Sequence, residues 1–165
     1  TQVGEHVGAL YDGKIRIPLF DAAGNALADE DLKQRLDHEF THVVVRFLAG
    51  NRVPWWLNEG LADTFSRSFG APETDLLQGA QDALFTLKEL SESQLKRLDP
   101  APLRLAYAQA HATVDYLWKK FGQPRMVSLM SDIAQGIEPE EAVQRNYNRS
   151  YAALEKEVAR TFTAP

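Results

Sequence analysis

The order of apolar and polar positions along the chain predicts a short β-hairpin followed by a mostly helical region. Between residues 7 and 19, Ile15, Ile17 and Leu19 alternate with other side chains behind an Asp-Gly turn signal, which favours an antiparallel hairpin. Further along, the apolar positions recur at the spacing of an α-helix. The pattern therefore predicts an α+β fold, in which a small antiparallel sheet at the N-terminus packs on a mostly helical domain.

The helices are predicted from this apolar spacing together with the glycines and prolines that interrupt it. The first helix has an apolar stripe that we expect to face the core, formed by Leu32, Leu36, Phe40, Val43 and Phe47. Its last turns are apolar on both sides, which indicates that two layers cover it. The predicted helices span residues 30–48, 55–69, 74–90, 103–121, 124–135, 139–146 and 150–162.

The amino-acid composition limits which partners the chain can bind and which residues can hold a metal. A chain of 165 residues with 44% apolar side chains fits one domain over residues 1–165. The net charge of -5 provides no basic surface for nucleic acid, and no apolar run is long enough for membrane insertion. The start at Thr1 is compatible with a domain excised from a longer protein, whose other domains would then be partners. Because the chain has no cysteine, a metal must be held by His, Asp or Glu.

A candidate metal site begins with the stretch HEFTH at residues 38–42. Residues four apart share one face of a helix, so His38 and His42 can bind a single ion at about 2.0–2.1 Å. Two histidines do not complete a site, and a random chain of this composition would contain the spacing in about 1% of cases. Taken alone, the pair therefore also fits two histidines on a solvated helix face.

The second predicted helix supplies further acidic residues for this site. The turn after the first helix reverses the chain, so that Glu59 faces back toward the histidines as the third ligand that a catalytic zinc site needs. Asp63 lies one helical turn further on the same face and can orient a ligand histidine. Glu39 would lie beside the metal-bound water as a general base. If any one of these three acidic residues stood alone, it would be interpreted as part of a solvated, charged helix face.

HEFTH at residues 38–42 and WLNEGLAD at residues 56–63 resemble the gluzincin zinc peptidases, whose pattern is HExxH followed by NExxxD. GALYDGKIRIPL, VPWWLNEGLA and LAYAQAHATVDYLWKKFG more narrowly resemble the peptidase MA-like domains of bacterial proteins. This resemblance implies a zincin-like fold with a central HExxH helix, one Zn²⁺ per chain and the roles already given to the histidines and acids. It also implies that Asn58 helps to fix the helix pair. Metzincins and deformylases fit less well, because the chain lacks their further ligands.

Amide hydrolysis also needs a donor to the developing oxyanion, and the resemblance suggests a tyrosine or histidine from a later helix. Tyr107 and His111 lie one turn apart on the predicted helix 103–121, so both are candidates. Tyr107 is the first choice, although its place in an apolar stripe equally suits a core residue. Trp55 and Trp56 are expected to anchor the start of the second helix to the core through apolar contacts. Alternatively, the two side chains line a substrate pocket.

These observations predict a zinc-dependent peptidase that hydrolyses peptide bonds through metal-activated water. A peptide or protein substrate is expected to pair with the edge of the strand KIRIPL, residues 14–19. The main alternative is a catalytically weak or inactive module of a larger protein that binds zinc or a peptide. A helical interaction domain without metal is a third interpretation. The sequence does not fix the compartment, and an extracytoplasmic or secreted bacterial setting is favoured.

Overall fold

The fold is known from a computed structural model that describes residues 10–11, 15–67, 71–92, 95 and 98–163. None of the helices in these ranges combines the length and the hydrophobicity needed to span a bilayer. Short 3-10 turns lie at Gly50–Arg52, Gln81–Ala83 and Glu89–Ser91. The strands and helices are β1 (Leu10–Tyr11), β2 (Ile15–Arg16), α1 (Asp29–Ala49), α2 (Trp55–Ser66), α3 (Thr74–Gly79), α4 (Pro100–Ala134), α5 (Pro139–Tyr147) and α6 (Tyr151–Thr163).

The two strands form a minimal antiparallel pairing beside α1. Leu10 lies opposite Arg16, and Tyr11 lies opposite Ile15. Residues 7–9 and the turn at residues 12–14 of the predicted hairpin lie outside the described residues. The structure therefore establishes a mostly helical fold, and an N-terminal sheet beyond these few residues stays a prediction.

Most predicted helices are confirmed. α1, α2, α5 and α6 begin and end within a few residues of the predicted bounds. The predicted helices 103–121 and 124–135 follow one another as the two parts of α4, which is interrupted at Gly122, where φ is 77° and ψ is 173°. A positive φ is readily adopted only by glycine, so this residue allows the chain to leave and resume the helix.

The predicted helix over residues 74–90 is wrong, because α3 ends at Gly79. In the segment that follows, the backbone of Phe85 is held by a side chain instead of by helical hydrogen bonds. Gln109 on α4 accepts a hydrogen bond from the Phe85 N–H at 3.0 Å and donates one to the Phe85 carbonyl at 2.5 Å. These two residues are far apart in sequence, so local periodicity could not reveal that the backbone hydrogen bonds are satisfied in this way.

The predicted core face of α1 is also wrong. Three members of the predicted stripe are exposed to solvent, namely Leu36 (47%), Phe40 (57%) and Phe47 (88%). The residues buried toward α2 are smaller, namely Thr41, Val45 and Ala49. Small side chains let two helices approach closely, and this rotation of α1 also turns its histidines toward α2. No second layer covers the outer face of α1 in the described part of the chain, where Val44 and Leu48 are exposed as well.

Helix α2 lies at the centre of the core, packed between α1 and α4, and nearly all of its residues are buried. Its closest approach to α4 is at Gly60. A Cβ atom added there would lie 2.5 Å from the carbonyl oxygen of Ala110 and 2.5 Å from Cγ2 of Val114. Both distances are far below van der Waals contact. Only glycine therefore permits this separation of the two helices.

We expect Gly60→Ala to destabilise the protein by about 2 kcal/mol or more, because the new methyl group forces α2 away from the backbone of α4. Urea denaturation of the metal-free protein measures this effect. The matched control is Gly79→Ala, since a Cβ at Gly79 meets nothing within 4 Å. Equal stability of Gly60→Ala and wild type would contradict the inferred packing.

A charged cluster ties α4 to α6. The Tyr116 hydroxyl donates to the Glu157 carboxylate at 2.5 Å, and Lys120 and Arg149 approach the same carboxylate at 3.0 and 2.5 Å. The hydrogen bond from Tyr116, followed by those from Lys120 and Arg149, lowers the pKa of Glu157 from 4.5 to about 2 despite the opposing effect of burial. The folded protein therefore favours the ionised carboxylate.

Because the folded-state pKa of Glu157 is lower than its ordinary value, its contribution to stability is present above about pH 4.5 and is lost as the pH falls toward about 2. We expect Glu157→Gln to reduce the loss of stability over this window, measured by denaturant midpoints at several pH values. Glu141→Gln, which removes an exposed carboxylate of α5, is the control. An acid profile of Glu157→Gln that matches wild type would contradict the assignment.

Candidate metal centre

The two histidines of α1 and the first acid of α2 converge on one point. His38 Nε2 and His42 Nε2 lie 3.1 Å apart. The Glu59 Oε2 atom lies 3.6 Å from His38 Nε2 and 3.5 Å from His42 Nε2. Glu59 is buried, and the two histidine side chains are 24% and 18% exposed. The site is therefore a partly enclosed cleft and not a solvated helix face.

The separations of these three atoms fit a bound metal. Ligand atoms arranged tetrahedrally around an ion at about 2.0–2.1 Å lie about 3.4 Å from one another. The observed separations of 3.1, 3.5 and 3.6 Å lie on either side of that value. With three protein ligands, a tetrahedral ion would keep one position open for water or substrate. The residues present therefore fit a metal of this kind.

Asp63 supports the site from behind His38. Its Oδ1 atom lies 3.3 Å from His38 Nδ1, which is the ring nitrogen facing away from Glu59. Arg67, one turn further along the chain, lies 3.7 Å from the other oxygen of Asp63. The corresponding Nδ1 atom of His42 is buried and has no hydrogen-bond partner in the part of the chain that the structure describes. Orientation by a carboxylate therefore applies to His38 alone.

The charges around His38 make it basic in the absence of metal. Burial lowers its pKa, but hydrogen bonds and attraction to the carboxylates of Asp63 and Glu59 outweigh this effect and raise the pKa to about 9. A metal binds only to the neutral imidazole, so a proton and a metal compete for the same nitrogen. Glu59, a candidate ligand, and Asp63 thus also stabilise the protonated, metal-free form of the site.

Three comparisons with known proteins bear on this site. The family model of the peptidase MA superfamily matches residues 26–164, which include both histidines and both acids of the centre. The chain belongs to the peptidase MA superfamily. Proteins of this superfamily are zincin-like and typically metal-dependent, so a peptidase activity is suggested. Searches of curated proteins and of solved structures gave no significant match.

In this peptidase MA domain, Tyr107 on α4 lies close to the acids of the centre. Burial raises its pKa well above the ordinary value, and the negative charges of Glu59, Asp63 and Glu39 raise it further. Its hydroxyl therefore keeps its proton and can donate a hydrogen bond. Glu39, next to His38 on α1, is half-buried. Two of the three candidate catalytic residues, Glu39 and Tyr107, thus lie near the group formed by His38, His42 and Glu59.

His111 and Asn58 lie in different surroundings from Tyr107. His111 is 1% exposed, and its Nε2 atom has no hydrogen-bond partner among the described residues. Burial lowers the pKa of His111, although the nearby charge of Asp63 acts in the opposite direction. This burial favours Tyr107 over His111 as the group that reaches a substrate. Asn58 lines a cavity beside Glu59, and within the part of the chain that the structure describes its side chain forms no hydrogen bond with α1.

Trp55 and Trp56 are buried at the start of α2. This burial favours a role in anchoring the helix to the core over a role in lining an open pocket. The ring centroid of Trp55 lies 4.9 Å from that of Tyr107, in an edge-to-face arrangement that fixes the tyrosine beside the site. The ring centroids of Trp56 and Tyr151 lie 6.2 Å apart, also in an edge-to-face arrangement. The burial and ring contacts of both residues support the predicted anchoring role, and Trp55 also lines a cavity beside Glu59.

Two residues of the centre were not predicted from the sequence. Gly60 could have been recognised, because an isolated glycine within a helical pattern signals a close approach of another backbone. Arg67 could have been recognised from its spacing of four residues after Asp63, which places a cation on the same helix face. Neither signal is specific unless the position of α4 is known.

We expect Asp63→Asn to lower metal affinity by about 10- to 100-fold, because His38 loses the carboxylate that orients it and increases its basicity as a ligand. Titration with zinc and with cobalt against a competing chelator measures the change. Asp31→Asn, in the exposed first turn of α1, is the control. Unaltered affinity in Asp63→Asn, with stability retained, would contradict the supporting role of Asp63.

Proposed function

We propose that the chain is a zinc-dependent peptidase of the gluzincin type. The observation that carries this proposal is the tetrahedral spacing of the His38, His42 and Glu59 ligand atoms. Two imidazole nitrogens and one carboxylate oxygen are a typical ligand set for catalytic zinc. The absence of cysteine is compatible with this choice. Membership of the peptidase MA superfamily supports a peptide or protein as the substrate.

A zinc ion held by these residues would supply Lewis acidity, which makes water a stronger nucleophile and polarises the substrate carbonyl. Glu39 would accept the proton of the attacking water and deliver it to the leaving amine as the C–N bond breaks. The hydroxide adds to the carbonyl carbon, so the products are a carboxylic acid and an amine. Glu39 directly follows His38 on α1 and is partly buried, and both features support this role.

Tyr107 would donate a hydrogen bond to the carbonyl oxygen as negative charge develops there. The raised pKa of Tyr107 supports this role, because the hydroxyl stays protonated at any physiological pH. Asp63 would hold the ring of His38 in place. It remains a prediction that a peptide pairs with the strand edge at residues 14–19. The bacterial, extracytoplasmic setting is likewise a prediction.

We expect Glu39→Gln to lower peptide hydrolysis by about 100- to 10,000-fold, because the amide cannot accept the proton of water. Mass spectrometry of a mixed peptide library, incubated with zinc-loaded protein in the presence or absence of a chelator, measures the products. Zinc content should stay at about one ion per chain, since Glu39 is not a ligand.

Glu30→Gln, which removes an exposed glutamate from the same helix, is the matched control and should cleave like wild type. Indistinguishable cleavage by wild type and Glu39→Gln would contradict the catalytic assignment. Zinc binding without cleavage by wild type would favour the inactive binding module. A melting temperature that changes neither on addition of zinc nor on addition of a chelator would favour the metal-free interaction domain.

A further inference from the structure

The hydroxyl of Tyr107 is not held in place by a hydrogen bond. Within the part of the chain that the structure describes, its side chain neither donates a hydrogen bond nor accepts one. This suits the donor proposed above, because an acceptor inside the protein would compete with the substrate for the single hydroxyl proton. The direction in which the hydroxyl points must therefore be set by the packing of the ring.

Trp55 provides a ring contact that can set this direction. The ring centroids of Trp55 and Tyr107 lie 4.9 Å apart, and the ring planes meet at 65°. Trp55 is 8% exposed, and Tyr107 packs against the same hydrophobic core. Aromatic rings in an edge-to-face arrangement attract each other beyond the effect of burial. Since a tyrosine side chain rotates about only two torsions, this contact restricts the orientation of Tyr107.

The helices that carry these two rings are also held together elsewhere. Successive contacts advance along α2 and α4 in the same direction, namely Trp55 with Tyr107, Gly60 with Ala110, and Phe65 with Trp118. Gly60 sets the closest approach of the two helices. At the far end of α2, the ring centroids of Phe65 and Trp118 lie 5.1 Å apart. Loss of the Trp55 ring should therefore release the tyrosine ring without changing the register of the helices.

Trp55 is also fixed relative to the metal centre. It precedes Glu59 by four residues on α2, so the two side chains lie on the same face of the helix, one turn apart. A ring that packs on Trp55 is thus held at a constant position relative to the carboxylate of Glu59. One rigid helix therefore sets the positions of a candidate ligand and of the proposed hydrogen-bond donor.

We propose that Trp55 is a positioning residue that aims the Tyr107 hydroxyl at the carbonyl oxygen of the substrate, an inference that rests on the proposed peptidase function. In this role Trp55 touches no reacting atom and acts only through Tyr107. The hydrogen bond from Tyr107 strengthens as negative charge develops on the carbonyl oxygen, so its alignment affects the chemical step more than substrate binding. A donor that is misplaced by about 1 Å loses much of this effect.

The first test replaces the indole ring by an aliphatic side chain. Trp55→Leu should lower kcat about tenfold with KM nearly unchanged, for the library peptide that zinc-loaded wild type cleaves fastest. Trp55→Phe keeps an aromatic partner and should retain kcat within about threefold. Phe65→Leu removes a similar ring contact from the other end of α2 and, as the matched control, should cleave like wild type. Trp55→Met replaces Trp55→Leu if that variant does not unfold cooperatively.

A double variant shows whether Trp55 acts through Tyr107. Tyr107→Phe removes the hydroxyl and should lower kcat by about 100-fold. Addition of Trp55→Leu to this variant should change kcat by less than about twofold, because no hydroxyl is left to be oriented. Losses that multiply in the double variant would overturn the inference. An effect of Trp55→Leu that is confined to KM would overturn it as well.

The mobility of the Tyr107 ring in metal-free protein gives a measurement that does not depend on cleavage. NMR relaxation of ¹³C-labelled tyrosine rings is recorded, and the Tyr107 signal is assigned by its loss in Tyr107→Phe. The ring should be more mobile in Trp55→Leu than in wild type, Trp55→Phe or Phe65→Leu. Unchanged mobility in Trp55→Leu would overturn the inference even if peptide cleavage is confirmed. Increased mobility, beside a wild type that cleaves nothing, would support the contact that holds Tyr107 and contradict the proposed peptidase.

Discussion

Two carboxylates buried on one apolar helix are the constraint on which the rest of the structure depends. Glu59 and Asp63 are 6% and 8% exposed on α2, among side chains that are mostly apolar. A buried carboxylate is strongly unfavourable unless a cation or hydrogen-bond donors accompany it. His38, His42 and Arg67 approach these two acids at 3.3–3.7 Å. The need for these partners explains why α1 turns its histidines inward and its larger apolar residues outward.

The packing of α4 completes this arrangement from the other side. Gly60, which directly follows Glu59 in the sequence, lets α4 come within contact of the α2 backbone. Tyr107 on α4 is thereby close enough for Glu59, Asp63 and Glu39 to raise its pKa. The candidate metal ligands, the proposed base and the proposed donor thus come from three helices that share one interface. Residues 26–164, which the peptidase MA superfamily model matches, contain all of these residues.

The sequence predicted that His38, His42 and Glu59 come together better than it predicted the packing around them. The spacing of His38 and His42 and the return of Glu59 depend on helix geometry and a short turn, which are local and regular. The orientation of α1 could not be predicted in this way, because apolar residues such as Phe40 and Phe47 mimic a core stripe. The non-helical backbone at Phe85 depends on Gln109, whose side chain on a distant helix replaces backbone partners. Such long-range hydrogen bonds leave no periodic signal.

The outer face of α1 has a consequence for how the centre responds to its surroundings. The exposed side chains of Phe40 and Val44 alternate along the helix with the two histidines of the candidate metal centre. An α-helix bends little over two turns, so a molecule that presses on this face moves both imidazole rings together relative to Glu59. A displacement of a few tenths of an ångström is a substantial fraction of the tolerance of a metal–ligand bond, about 0.2 Å. Through this single helix, contact at the surface of the domain would change the affinity for a metal held at the candidate centre.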